Sequence, residues 1–154
     1  MSAVIDSHHD DHHHGPAKGF SRWLYTTNHK DIGSMYLWFS LVMLFIGGAM
    51  AMVIRAELFE PGSQIVSPEF YNQMVTNHGL IMVFGVIMPA FVGFANWMIP
   101  MQIGAPDMAL PRLNNLSFWI LPVAFGILLS TFFMEGGAPN FGWTFYAPLS
   151  TEYA

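Results

Sequence analysis

Apolar residues run along the chain in three long blocks that contain no Asp, Glu, Lys or Arg. The first lies between Asp31 and Arg55 and holds 23 residues, the second between Glu69 and Asp107 holds 37, and the third between Arg112 and Glu135 holds 22. A helix needs about 20 apolar residues to cross a hydrocarbon layer of ~30 Å. The pattern therefore predicts helices near 35–54, 75–99 and 115–134. The middle block is longer than one crossing, so its ends must take in interfacial residues. Inside a bilayer the backbone has to satisfy its own hydrogen bonds, which leaves helix as the conformation for these blocks. The fold class read from the pattern is an all-α membrane protein with three transmembrane helices. The competing reading, three core helices of a soluble domain, fails for want of polar surface. Charged residues make up 10% of the 154-residue chain, against about 25% in an average soluble domain. The first block is not a secretory signal, because a long polar stretch precedes it and no small-residue cleavage site follows.

Composition narrows the function classes. Hydrophobic residues are 53%, aromatics 16%, and the mean hydropathy is +0.41. Lys and Arg number only 5 against 10 Asp and Glu. That is too few cations for a phosphate-neutralising surface, so nucleic acid is excluded as a partner. The absence of cysteine excludes disulfides, thiolate metal sites and thiol nucleophiles. The placement of the cations sets the expected orientation. Lys18, Arg22 and Lys30 precede the first block, Arg112 lies between the second and third, and only Arg55 lies on the other side. The positive-inside rule then puts the N-terminus and the loop between helices 2 and 3 in the cytoplasm. Trp97, Trp119, Trp143 and Tyr146 fall near the expected interfaces, where amphipathic rings are favoured.

The head of the chain, residues 1–25, reads as a polar cytoplasmic tail without stable structure. His8, His9, His12, His13 and His14 alternate there with Asp10 and Asp11. Such a composition fits a metal-binding tail or a merely solvated one. The closing stretch Gly136–Ala154 is rich in Gly, Pro and aromatics and reads as an ordered outer loop whose abrupt ending looks like a truncation.

Polar groups inside a bilayer are costly, so each asks for a reason. His78 lies inside the second block, and its imidazole suits haem iron or a hydrogen bond to a neighbouring helix. Asn96 follows 18 residues later. That separation is five full turns, which places both side chains on one face about 27 Å apart. Gly85, Pro89 and Gly93 lie near that face and allow another helix or a flat cofactor to approach. Pro89 is expected to kink the helix. Arg55 ends the first block on the same outer side as His78, either snorkelling to the interface or serving as a fixed cation beside a cofactor. After it, Glu57, Glu60 and Gln64 offer oxygen atoms in an irregular turn that suits a hard cation. Asp107 sits in the expected cytoplasmic loop with Asn96 before it and Asn114 and Asn115 after it. A carboxylate backed by amides reads either as a solvated loop charge or as the mouth of a proton-conducting water chain.

Longer motifs carry a family resemblance. Thr27-Asn-His-Lys-Asp-Ile-Gly33, Ile54-Arg-Ala-Glu-Leu58, Val75-Thr-Asn-His-Gly79, Ile103-Gly-Ala-Pro-Asp-Met108, Pro111-Arg-Leu-Asn-Asn-Leu-Ser-Phe-Trp119 and Gly142-Trp-Thr-Phe-Tyr146 occur in order. In these the chain resembles subunit I of the haem–copper terminal oxidases, in the bacterial aa3-type cytochrome c oxidase branch, from about Thr26 onward. The quinol oxidases differ after the helix-1 arginine and at Pro106, which favours cytochrome c as the electron donor. The resemblance implies that His78 is one axial ligand of the low-spin haem a and that Arg55 hydrogen-bonds its formyl group. It implies that Tyr71 lies near that haem and that Trp143 lies near a haem propionate. It also implies that Asp107 is the entrance carboxylate of a proton channel, with Asn96 and Asn114 organising its water. Glu57, Glu60, Gly62 and Gln64 match a loop that takes Ca²⁺ or Na⁺ in some members.

The family's subunit I has about a dozen spanning helices, so the chain reads as its N-terminal quarter to third. The high-spin haem a3, the copper ion and the second low-spin ligand would belong to the remainder of subunit I. Subunits II and III are the further implied partners, and the bacterial cytoplasmic membrane is the implied location. The function so implied is proton-pumping reduction of O₂ to water, to which this stretch contributes no oxygen-reducing residue. Two other classes fit the residues less well. A self-standing b-type cytochrome would use His78 from two copies, and a cofactor-free packing module would need no histidine. Neither accounts for Gly104–Met108 or Pro111–Trp119.

Overall fold

The computed structural model describes residues 19–152, so the histidines expected in the polar head lie outside the described residues. The described chain is helical throughout, with no strand among its residues. A short α1 (Phe20–Tyr25) leads into α2 (His29–Glu57). Then α3 (Pro68–Leu80), a π-helical segment (Ile81–Ile87) and α4 (Met88–Ile103) form one continuous run. α5 (Pro111–Ser130) ends in a 3-10 turn (Thr131–Phe133), and α6 (Leu149–Glu152) closes the described part. Three helical runs are long and apolar enough to cross a membrane: His29–Glu57 with 29 residues, Pro68–Ile103 with 36 and Pro111–Phe133 with 23. At 1.5 Å per residue they reach about 43, 54 and 34 Å, each more than the ~30 Å of a hydrocarbon core. The chain is a multi-pass membrane protein.

α2 and α3 begin earlier than the apolar pattern alone marks, because capping residues start them. Asn28 heads α2, its Oδ1 accepting the Lys30 N–H at 2.8 Å, and Asp31 favours the first turn electrostatically. Ser67 caps α3 through the Phe70 N–H at 3.3 Å, with Pro68 in the first position. α4 stops at Gly104, whose φ of 71° is left-handed, and the Ala105 N–H turns back to the Pro100 carbonyl at 2.9 Å. Pro89 has no N–H and its ring crowds the carbonyl one turn back. Just before it the helix widens into the π-helical turns of Ile81–Ile87.

α2 and the second run are antiparallel. The pairs His29–Asn96, Gly33–Gly93, Ser40–Val86 and Gly47–His78 step in opposite directions along the two. A Cβ on Gly33 would lie 2.9 Å from the Gly93 carbonyl and 2.7 Å from the Trp97 ring, so only glycine permits this crossing. α5 runs parallel to α2, through the Tyr36–Phe118 and Phe39–Phe125 edge-to-face pairs at 5.2 and 5.6 Å. Met43, Met50, Met74, Ile81 and Phe125 fill the centre of the bundle. Trp38, Phe45, Phe91, Val123 and Ile127 face outward, as residues do when the surroundings are lipid or further helices.

Two segments expected to be peripheral are tied down. Residues 20–25, assigned by composition to the polar head, form α1. Arg22 grips Asp31 with both Nε and Nη2, the closest approach being 2.9 Å. The buried Asn115 donates its amide to the carbonyls of Leu24 at 3.0 Å and Thr26 at 2.7 Å. At the other end, the segment after the 3-10 turn folds back over α3. There Thr76 Oγ1 accepts the Gly142 N–H at 2.9 Å and Asn77 donates to the Pro139 carbonyl at 3.4 Å.

Candidate functional site

The candidate residues fall into two groups at opposite ends of the bundle. At the end carrying the α2–α3 loop, His78 projects from the last turn of α3 toward α2. Its Nδ1 lies 2.9 Å from the Gly47 carbonyl oxygen. A carbonyl can only accept, so Nδ1 carries the proton and donates it. In the neutral ring this leaves the Nε2 lone pair free for a metal, the arrangement that orients metal-binding histidines. The ring is half-buried. Tyr71 lies seven residues earlier, two turns back on the same face of α3, and is likewise half-buried. Trp143 packs beside this group: a Cβ on Gly79 would touch its ring at 3.5 Å, and its centroid is 6.4 Å from that of Phe84.

Arg55 stands two turns beyond Gly47 on α2, about 12 Å farther along the axis. Its side chain is exposed and makes no hydrogen bond or ion pair among the described residues. The guanidinium is therefore available to a group outside this stretch. His78, Gly47, Tyr71, Trp143 and Arg55 thus share one end of the bundle, and the free Nε2 of His78 is a donor that would fit a haem iron.

The loop after Arg55 is organised around an anion. The buried carboxylate of Glu57 accepts three backbone N–H groups, from Gln64 at 2.8 Å, Ile65 at 2.9 Å and Val66 at 3.0 Å. Gln64 turns its own amide N–H to the Pro61 carbonyl at 3.2 Å, while Glu60 and Gly62 are exposed. Among the described residues no three His, Asp or Glu side chains cluster in a way that could hold a metal. A Ca²⁺ or Na⁺ would have to share the Glu57 oxygens with the amides, so the donor set fits a loop clasp better than a cation site.

The opposite end gathers the amides. Asn114 Nδ2 donates to Asn96 Oδ1 at 2.6 Å, joining α5 to α4. Asn96 is 3% exposed, and its own Nδ2 donates to the Val92 carbonyl at 2.9 Å. Behind Asn114, Ser117 Oγ donates to its carbonyl at 2.6 Å and accepts a hydrogen bond from the Tyr36 hydroxyl at 2.8 Å. Asp107 sits half-buried in the connecting loop between these two asparagines, its Oδ1 accepting the Met108 N–H at 2.8 Å. The structure therefore joins Asn96 to Asn114 directly and hangs Asp107 on the short loop that links their helices. The widened turns of the π segment lie between His78 and Asn96, yet both still meet α2, at Gly47 and at Gly33.

Sequence reasoning missed four residues at this end. His29, present there only within the Thr27–Gly33 motif, is the first residue of α2 and is 7% exposed. Its Nδ1 lies 2.8 Å from the Asn96 carbonyl oxygen. Ser34 Oγ accepts the Trp97 indole N–H at 3.1 Å, and the Lys30 ammonium stands 5.7 Å from the centre of the Trp97 ring. The fourth, Asn115, was noted only as a neighbour of Asn114. A usable signal existed for His29: a proline four residues after Asn96 deprives its carbonyl of a helical partner, and a buried donor had to be found elsewhere.

Residues 31–154 match the family model described as cytochrome C and quinol oxidase polypeptide I. The chain is 49% identical over 138 residues to cytochrome c oxidase subunit 1 of Corynebacterium diphtheriae, covering 88% of this chain and 24% of that protein. It is 50% identical over 135 residues to the subunit 1 of Corynebacterium glutamicum, covering 86% of this chain and 23% of that one. It is 48% identical over 131 residues to the heme-copper oxidase subunit I+III of Aeropyrum pernix, covering 85% of this chain and 16% of that protein. The chain spans about a quarter of the length of the curated bacterial relatives it matches.

Proposed function

The chain belongs to the cytochrome c and quinol oxidase polypeptide I family, and from that membership we propose that it forms the first three spans of a cytochrome c oxidase catalytic subunit. In this reading it contributes one ligand of the low-spin haem and the mouth of a proton channel. The observation that carries the reading is the hydrogen bond from His78 Nδ1 to the Gly47 carbonyl, 2.9 Å long, which presents Nε2 as the ligating atom. That bond fixes the ring and its tautomer, as the partner of a metal-binding histidine does.

The chain's residues act in distinct ways. His78, fixed by Gly47, would hold the iron of a haem a, with the second ligand supplied by the remainder of subunit I. Arg55 would place a permanent cation at the haem edge, where it stabilises electron density on a formyl oxygen. Tyr71 would close the face two turns before His78, and Trp143 would offer its indole N–H on the propionate side. Such a haem, when bound, would supply one-electron transfer from cytochrome c toward an oxygen-reducing haem a3 and copper that the remainder of subunit I would hold. At the other end, Asp107 would accept protons at the cytoplasmic surface. The Asn96–Asn114 pair would order the water that receives them, since both amides are fixed by bonds at their carbonyls as well as at their side chains. The remainder of subunit I, subunits II and III and the lipid of a bacterial cytoplasmic membrane are the expected surroundings of the bundle.

The test is His78→Ala in the complete oxidase. The low-spin haem absorption is expected to vanish while the subunit still assembles. Retention of that signal would refute the ligand assignment, and with it the self-standing cytochrome alternative, which also needs His78.

A further inference from the structure

Pro100 lies four residues after Asn96 in α4 and is fully buried. In an α-helix the N–H of residue 100 would bond the carbonyl of residue 96. Proline has no N–H, so the Asn96 carbonyl, on a residue only 3% exposed, is left without its helical donor. His29 occupies that place. Its Nδ1 is 2.8 Å from the Asn96 oxygen, and since a carbonyl only accepts, the imidazole donates. We propose that His29 is a positioning residue for the Asn96–Asn114 pair, replacing through space the hydrogen bond that Pro100 removes from the α4 backbone. This inference rests on the reading of Asp107, Asn96 and Asn114 as a channel mouth.

The surroundings of His29 are built to hold the ring in that place. Asn28 caps the helix one residue before it. Gly33, one turn later, lets α4 approach so closely that a Cβ there would lie 3.2 Å from Asn96 Cβ. Ser34 and Lys30 then hold Trp97, the residue next to Asn96. The first two turns of α2 thus fix the single turn of α4 whose backbone ladder is broken. What depends on this is the 2.6 Å bond between Asn114 Nδ2 and Asn96 Oδ1. Such a bond tolerates little displacement, because hydrogen bonds weaken steeply with distance and angle. With the His29 donor gone, the Asn96 carbonyl is a buried orphan. The turn relieves this by tilting its carbonyl toward water, which carries the Asn96 side chain off Asn114.

The experiment uses the complete oxidase and five variants: Asp107→Asn, His29→Ala, His29→Ala with Pro100→Ala, His29→Gln, and His29→Gln with Pro100→Ala. Alanine at 100 restores the missing N–H inside α4 and makes an external donor unnecessary. His29→Ala is expected to slow turnover about tenfold, in line with the effect of misplacing a positioning group. The low-spin haem band should stay unmoved, because His78 lies about 27 Å away along the run. Adding Pro100→Ala should return turnover to within about twofold of the parent, as expected when a hydrogen bond is replaced rather than lost. A loss of packing volume at residue 29 would not be repaired by that second change, so rescue separates positioning from bulk. If His29→Ala does not assemble, His29→Gln, which keeps an N–H donor, is compared with and without Pro100→Ala.

Full turnover in His29→Ala, or a double variant as slow as the single one, overturns the inference while a slow Asp107→Asn leaves the channel reading standing. Full proton uptake and turnover in Asp107→Asn removes the channel and the role of His29 in it together.

Discussion

At the scale of single residues, the chain uses polar groups in a membrane bundle chiefly to complete one another's hydrogen bonds. His78 gives its Nδ1 proton to Gly47, His29 gives one to Asn96, and Ser40 gives one to the Val86 carbonyl at 2.8 Å in the π-helical segment. Arg55 is an exception, an exposed cation with no partner among the described residues. A charge left unpaired near the edge of a bilayer is costly unless another group meets it. Arg55→Met in the complete oxidase is therefore expected to shift the low-spin haem absorption band while leaving the haem bound, because the side chain acts on the haem periphery and not on the iron. An unmoved band would leave Arg55 as a snorkelling residue. Much of this was legible in the chain. His78 stood out as a histidine inside an uncharged block, and Asn96 and Asn114 as amides flanking a loop carboxylate. Glu57 was less legible, because a carboxylate in a Gly- and Pro-containing turn reads equally as a cation ligand or as an acceptor of backbone N–H groups. Only the folded loop shows that residues 64–66 take it.

At the scale of elements, hydropathy marked the centres of the three spans and missed their ends. The first turn of α2 is His-Lys-Asp, which no apolar pattern includes, yet Asn28 caps it and Asp31 binds Arg22. The π-helical segment was legible only as a proline at 89. Its extent over Ile81–Ile87, and the bond that Ser40 of α2 donates to its Val86 carbonyl, appear only in the folded chain. The crossing of α2 and α4 depends on two glycines facing each other. A Cβ on Gly93 would lie 3.0 Å from the Gly33 carbonyl, which is backbone and cannot swing aside. Gly93→Leu is expected to push the helices apart and to destabilise the fold by about 1–3 kcal/mol, the usual cost of overpacking. Thermal unfolding in detergent reads this as a lowered midpoint. Gly48→Leu is the control, since a Cβ at Gly48 meets nothing within 4 Å. Equal loss in the two variants would mean that the Gly33–Gly93 approach is not what holds α2 against α4.

At the scale of the whole molecule, function depends on which end of the bundle faces which compartment. His29, the Asn96–Asn114 pair and the Asp107 loop share one end, while Arg55, Glu57 and His78 share the other. Among the described residues, Arg22, Lys30 and Arg112 lie on the first side and only Arg55 on the second. Arg22 is paired with Asp31, but this does not weaken the argument. The positive-inside rule counts Lys and Arg, not net charge, and acidic residues contribute little to it. We therefore expect the Asp107 loop in the cytoplasm, the side from which a channel opening there would draw protons. The chain contains no cysteine, so a single one placed in each loop reports its side without interference from this stretch. Ala109→Cys lies in the exposed part of the α4–α5 loop and Ser63→Cys in the exposed α2–α3 loop. A membrane-impermeant maleimide added to intact cells should label the cysteine at 63 and spare that at 109, and inverted vesicles should reverse the pattern. The opposite result would place Asp107 on the outside, where a carboxylate cannot collect cytoplasmic protons. The proton-entrance reading would then fail, whatever the haem at the other end does.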